Sequence, residues 1–422
     1  MSDYRDPKPE GGSASVDTPR NPNDPKWTVM VFMGASTFEG NVPLGPAADA
    51  DIAEMEAIGS KDGWLNIFVE RHDDRSVQRH HIKGPQGSSF IRPVSQTRTL
   101  DGQDLRRFVQ DALRAGGHRP QDHAMLVLWG HAFDFAFGRR RERDGTVDAL
   151  DFAELRDRLG EIQEDMFESF EGRKPESGSE LPTLDIIGFD SCELSTVEMA
   201  YQLYPYAQYL LGSEIGIPIP GWPYDRILDR LREPKGRMMG PVEFGSYIVR
   251  RYCESYEADE DAVSLTLLDL AHSAELAALA GWLARTLAIA IGNRDNLNRI
   301  ADVFVRSQTD EGRPYVDVAD LCLNLMRESS DAAIVDAAMA LGNFLISPGY
   351  RLAGRSEAGE GRPLVAEHGR NAGRLARLNG ISLYAPHVVP GRNVDAAERL
   401  YDNFTFAHEN DWGTLVHLLA RS

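Results

Sequence analysis

Four short, almost unbroken apolar runs set the tightest limit on how this 422-residue chain can fold: WTVMVFMG (27–34), WLNIFVE (64–70), AMLVLWGH (124–131) and LDIIGFDSC (184–192). Runs of this length and composition predict strands buried on both faces. Between them the spacing becomes helical, as in ADADIAEMEAIG (48–59) and DLRRFVQDALRAG (104–116). VQRHHIKG (77–84) and SSFIRPV (88–94) predict a hairpin. Buried strands alternating with helices predict an α/β domain with a mostly parallel sheet flanked by helices. In such sheets the ligand crevice lies beyond the carboxyl ends of the strands.

Two of the strands end on chemically active residues. One delivers His131, and the other, sixty-one residues later, delivers Cys192. The stretch ELSTVEMAYQLY (193–204) has Leu194, Val197, Tyr201 and Tyr204 three or four apart, so a helix is expected to start directly after the cysteine. A thiol at a helix N-terminus meets unpaired N–H groups and the positive end of the macrodipole, which favour the nucleophilic thiolate. A cysteine hydrolase also needs an imidazole and donors for the oxyanion. His131 supplies the first, and the backbone N–H groups of Cys192 and Ala132 are candidates for the second. A lone buried cysteine is ordinarily inert core. Here the apolar strand stops before the thiol, at Asp190-Ser191, and a Gly-His pair ends the second strand. Cys253 and Cys322 both fall in helical patterns and read as structural.

Composition narrows the function classes. The formal net charge of −20 argues against nucleic acid as a partner and is compatible with basic peptides. Three scattered cysteines exclude a disulfide framework or a CxxC metal site and suit a reducing compartment. The start MSDYRDPKPEGG has no basic-then-apolar signal region. The longest membrane-span candidate, 274–291, is interrupted by Glu275 and Arg285. A cytoplasmic protein that does not enter a membrane is expected. Residues 1–25 read as a disordered tail, 26–270 as the alternating α/β domain, and 271–422 as a mainly helical region packing on the same core. LNGISLYAP (378–386) returns to strand character, and 139–181 forms a charged linker between the His131 and Cys192 strands.

Taken together, WTVMVFMG, LVLWGH, LDIIGFDSCELSTVEMA, SEIGIPIPGWPY and GISLYAP resemble the clostripain family of cysteine peptidases, which have a caspase-like fold. The similarity runs from about 27 to about 420. The resemblance implies a Cys192–His131 dyad, cleavage after Arg and less readily after Lys, and a zymogen matured by a cut between the dyad residues. It admits calcium dependence, but no EF-hand-type loop is visible, and no cofactor is otherwise required. Two positions depart from the family pattern. Ala132 stands where a glycine usually follows the histidine, and Pro220 stands where some members carry an acid before Gly-Trp.

Under this resemblance Asp190 has two readings: the floor of a pocket for a substrate Arg, or a cap for the following helix. Ser213 and Glu214 are expected to line the same crevice, with Glu214 the alternative acceptor for a basic side chain. Arg139, Arg140, Arg141 and Arg143 form the candidate processing site, with Arg173 and Lys174 as a second choice. Asp73 and Asp74 could bind a hard cation, whereas His80 and His81 would point to opposite faces of a strand and cannot chelate together. The expected function is an Arg-directed cysteine endopeptidase, self-activated or cut by an upstream protease, with a place in a regulatory or defence cascade. The alternative is a catalytically silent caspase-like module that binds basic peptides, a reading supported by Ala132 and Pro220.

Overall fold

The computed structural model describes residues 23–35, 43–61, 64–73, 76–85, 89–93, 100–133, 135–140, 147–233, 236–257, 261–292, 294–307, 310, 312–346, 364–370, 376–388 and 401–420. The first apolar run is β1 (Trp27–Gly34), followed by α1 (Gly45–Ile58) and β2 (Leu65–His72). The hairpin β3 (Val77–His81) and β4 (Ser89–Pro93) leads to α2 (Gly102–Ala115) and β5 (His123–Gly130). A small sheet comes next, made of β6 (Ala132–Phe133), β7 (Ala136–Arg140) and β8 (Val147–Asp151). The long α3 (Phe152–Glu171) returns the chain to β9 (Leu184–Asp190), and the short α4 (Val197–Leu203) connects to β10 (Ala207–Gly212). Then come α5 (Tyr224–Arg232), α6 (Pro241–Ser255) and β11 (Ser264–Asp269).

The rest is mainly helical. It runs through α7 (Ser273–Ala290), α8 (Arg294–Arg306), β12 (Tyr315–Asp317), α9 (Val318–Glu328) and α10 (Ala332–Ile346). It ends with β13 (Val365–Arg370), β14 (Ser382–Tyr384), α11 (Thr405–Glu409) and α12 (Trp412–Ala420).

One nine-stranded sheet in the order β13-β11-β10-β9-β5-β1-β2-β3-β4 organises the described residues. Its five central strands, β10, β9, β5, β1 and β2, are parallel. Antiparallel strands close both edges. The 73–76 connection between β2 and β3 is too short for a crossover, so those strands can only pair antiparallel. This is the mostly parallel α/β sheet expected from the sequence.

Strand periodicity sorts the core into two layers. In β1, Met30 and Phe32 face one core, while Val29, Val31 and Met33 face the other. In β5, Leu126 and Leu128 join the first core, and Met125, Val127 and Trp129 join the second. Helices α2, α3, α4 and α7 cover the first face with residues such as Phe108, Leu159, Val197 and Leu283. Helices α1, α5 and α6 cover the second with Met55, Leu228 and Phe244. Each large apolar side chain buried this way contributes about 1.5–3 kcal/mol. Among the described C-terminal residues, Leu321, Leu341, Trp412 and Leu415 pack into the first layer, and β13 extends the sheet beyond β11.

Packing is tight where β9 passes under the loop after β10. A Cβ on Gly188 would meet the Trp222 ring at 2.7 Å and Met125 Cε at 3.3 Å. Gly188→Ala is therefore expected to displace Trp222 and to cost ~1–3 kcal/mol of stability through overpacking. Denaturant titration of the two proteins checks this, and an unchanged midpoint would show that the ring yields freely.

Candidate active site

Strands β5 and β9 are neighbours, and their ladder ends with Trp129 opposite Asp190. His131 and Cys192 each lie two residues beyond that pair, after the ends of adjacent strands. Gly130 permits the exit of β5. Its φ is 143°, and a Cβ there would lie 2.8 Å from Gly34 O at the end of β1. His131 is half-buried, and its carbonyl accepts the Gly138 N–H at 2.9 Å. Ala132 opens β6 and pairs with Phe137. Phe135, at the hairpin turn with φ 66°, inserts among Tyr384, Tyr401 and Phe404, with ring centroids 4.7, 5.3 and 5.3 Å away.

The cysteine is presented differently from the sequence expectation. Cys192 lies in a turn at 191–193, and α4 starts only at Val197. The cap of that helix is Thr196, whose hydroxyl accepts the Met199 N–H at 3.2 Å. The thiol is therefore not at a helix N-terminus, and Asp190 does not cap α4. Residues 193–196 instead pair with the loop after β10: Glu193 N donates to Ile215 O at 3.2 Å, and Ser195 N to Ser213 O at 2.9 Å. These bonds hold the segment before Val197 out of the helix. The partner of the sulfur is the Ile217 N–H, at 3.3 Å. Burial pushes the Cys192 thiol up and the Ile217 hydrogen bond pulls it back, while the charges of Glu193 and Asp190 raise it and Arg313 lowers it.

Asp190 points into the second layer, the side of α1, α5 and α6. Its Oδ2 accepts from Trp222 N and from the Tyr224 hydroxyl, both at 3.1 Å. Gly221, at φ 63°, brings the backbone against this carboxylate, since a Cβ there would sit 2.8 Å from Oδ2. Burial pushes the Asp190 carboxyl up to about 7. Asp51 of α1 is held at about 9 by burial and then by the charge of Asp190, although its Oδ2 accepts Trp129 Nε1–H at 2.6 Å.

Glu214 is turned away from this layer. Its carboxylate accepts Gly380 N at 2.7 Å and Ser382 Oγ at 2.9 Å. Burial and the neighbouring Asp317 raise it well above the carboxylate range. Here Glu214 ties the loop after β10 to β14 and is not an exposed acceptor, because its inward bonds replace solvent. Ser213 is fully buried, and its Oγ accepts Ile215 N at 3.1 Å. Asp317 is buried and caps α9, its carboxylate accepting Asp320 N at 2.7 Å.

These geometries complete a strand-end Cys and His above a layer of buried carboxyls. The sequence model of the clostripain family matches residues 47–412. The chain belongs to the clostripain family. It is therefore a cysteine peptidase of that family. Its fold is similar to that of an inactive zymogen C11 protease from Parabacteroides distasonis, at TM-score 0.60 and 15% identity, covering 93% of this chain and 99% of that one. It is also similar to a secreted C11 cysteine protease from Bacteroides thetaiotaomicron solved with an irreversible peptide inhibitor, at TM-score 0.59 and 18% identity, covering 92% and 99%. No match was found among curated proteins.

Arg139 and Arg140 end β7, paired with Asp148 and Val147, whereas Arg141 and Arg143 lie outside the described residues. Cys253 is pushed up to about 12 and Cys322 higher still, both by burial, which suits inert structural thiols. Asp73 accepts Ser76 N at 2.8 Å, and Asp74 lies outside the described residues. Among the described residues no group of three His, Cys, Asp or Glu could hold a metal ion. No described helix is long and apolar enough to cross a membrane. Sequence reasoning missed Ile217 and Asp51. Asp51 had one legible signal, because it interrupts the buried stripe Ala48, Met55, Ile58 on α1.

In the uncut chain, alkylation of Cys192 by a small uncharged reagent is expected to be slow at neutral pH and to rise through and above the ordinary thiol range of about 8.5. Cys322 should remain unmodified. Site-resolved mass spectrometry across pH checks both, and a plateau already reached in mild acid would contradict the burial-dominated thiol.

Proposed function

We propose that the protein is an Arg-directed cysteine endopeptidase, less active after Lys, that works through a Cys192–His131 dyad. The observation that carries this reading is the pairing of β5 with β9, whose last pair is Trp129 and the buried Asp190, with His131 two positions beyond the first and Cys192 two beyond the second. In the proposed mechanism the Cys192 thiolate attacks the scissile carbonyl, and the N–H groups of Cys192 and Ala132 stabilise the oxyanion. His131 protonates the leaving amine and then activates the water that hydrolyses the thioester. Cys192→Ala and His131→Ala should each lower turnover of a short Arg-ended fluorogenic peptide by orders of magnitude. Cys253→Ala should remain active. A wild-type chain that binds such peptides without cleaving them would favour the silent binding module.

Asp190 is the proposed acceptor for the substrate cation. Its carboxyl is raised to about 7, and pairing with a guanidinium requires the ionised form. Preference for Arg over a neutral residue, read as a ratio of kcat/KM, should therefore grow as pH rises through about 7. Asp190→Asn should abolish that pH dependence and cost on the order of 2–5 kcal/mol in kcat/KM for Arg peptides. Reaction of Cys192 with a small uncharged alkylating agent should be largely retained. Equal losses in both assays would assign Asp190 to holding the Gly221–Tyr224 turn alone.

Activation is proposed to follow a cut between the dyad residues. The similar zymogen structure from Parabacteroides distasonis supports a precursor. The ladder pairs Arg139 with Asp148 and Arg140 with Val147, so cutting after either must open it. Cleavage after Arg141 or Arg143 is therefore favoured, and β7 and β8 should stay paired afterwards. Intact-mass analysis of purified wild type should show two associated chains split in this segment. Replacing all four arginines with Ala should give one chain of lower activity, and an uncut, fully active chain refutes the activation step.

A further inference from the structure

The turn that carries Cys192 is held from outside by a segment more than a hundred residues downstream. Glu193, next to the cysteine, has φ 60°. Residues with side chains occupy that region only where their surroundings over-determine it. Arg313, between α8 and β12, places Nε 2.7 Å from Glu193 Oε1. Three residues earlier, the Asp310 carboxylate accepts the Gly216 N–H at 3.1 Å. Asp310 O also accepts Arg313 N at 3.0 Å, which joins the two contacts in one turn. The residue after Gly216 is Ile217, the hydrogen-bond donor to the sulfur. One turn therefore grips the cysteine through Glu193 and the donor of its hydrogen bond through Gly216. Ile215 adds an apolar contact on the same side, clustered with Ala262 and Leu378.

We infer that Asp310 and Arg313 are positioning residues for the peptidase reaction: they fix the Cys192 sulfur and its Ile217 donor in one arrangement, and Arg313 offsets the Glu193 charge beside the sulfur. The inference rests on Cys192 being the nucleophile, as proposed above. Neither residue meets the scissile bond, and both act through a neighbour. The charged and titratable groups around the sulfur come from several elements. They are Asp190 at the end of β9, Glu193 in the turn, Arg313 opposite it and Tyr252 of α6, to which the proposed dyad adds His131.

The test uses the full-length chain with R313A, R313K, E193Q, D310A and D310N. It measures kcat and KM on an Arg-ended fluorogenic peptide and the pH profile of Cys192 alkylation by iodoacetamide, located by mass spectrometry. R313A should lower kcat by about tenfold or more while KM changes less than about threefold. Its alkylation midpoint should move to higher pH, because a cation that favours the thiolate is gone. E193Q should move the midpoint the opposite way, since it removes an anion. R313K should restore the midpoint, and D310N, which keeps an acceptor for Gly216, should restore the kcat lost in D310A.

A merely structural role would lower all rates together without opposite midpoint shifts, and R313A and E193Q moving in the same direction overturns the inference. Wild-type kcat and an unchanged profile in both R313A and D310A overturn it as well. Should R313A fail to fold, shown by a lost thermal transition, the E193Q shift and the D310A–D310N pair decide the same question. Wild-type turnover in C192A removes the nucleophile reading and this inference with it. That outcome is distinct, because normal C192A activity cannot arise from a fault at Arg313.

Discussion

The parallel pairing of β5 with β9 is the constraint on which the site depends. Both strands are buried on two faces, so their interior positions carry apolar side chains, and polar groups collect where the ladder stops. Trp129 opposite Asp190 marks that stop. One residue further, each chain must turn because helices cover both faces of the sheet. The turn after β5 is permitted by Gly130 and anchored by Phe135, and the turn after β9 is zipped to the loop following β10. Two turns fixed in different ways thus bring an imidazole and a thiol to one edge.

Below that edge the protein keeps carboxyl groups where water is scarce. Asp190 and Asp51 are both raised by burial, to about 7 and about 9. The sign of the linkage follows from folded values that lie above the unfolded ones. Their stabilising contribution is complete below the unfolded value near 3.8 and is lost as pH rises through about 7 for Asp190 and about 9 for Asp51. At neutral pH the folded chain therefore carries a penalty on the order of a few kcal/mol from this layer. Tyr224, Trp222 and Trp129 moderate the cost with hydrogen bonds but do not remove it. In the proposed arginine site, a cationic side chain would relieve it, so the same burial that destabilises the empty layer favours a basic substrate.

The C-terminal region serves the site as much as the core. Its aromatic residues Tyr384, Tyr401 and Phe404 receive Phe135 on the histidine side. On the cysteine side, Gly380 and Ser382 engage Glu214, while Asp310 and Arg313 reach the 216 loop and Glu193. These contacts are made by loops and short strands, which carry no periodic signal in the sequence.

The strands at 27–34, 65–72, 123–130 and 184–190 were legible because burial on both faces leaves a near-continuous apolar run, and the helices between them because one apolar stripe repeats every three or four residues. The chemical identity of His131, Asp190 and Cys192, and their position at strand ends, also came from the sequence. What it misplaced was the start of α4, since helical spacing in 193–196 yields to backbone hydrogen bonds with residues 213 and 215. It could not show that Glu214 turns inward to Ser382, that Ile217 donates to the sulfur, or that Asp51 lies behind Asp190. Local propensity and periodicity are written in neighbouring residues, so the sequence alone determined the elements and their order. Hydrogen bonds and charge contacts between residues 25 to 168 positions apart depend on how those elements pack, and only the tertiary structure decided them.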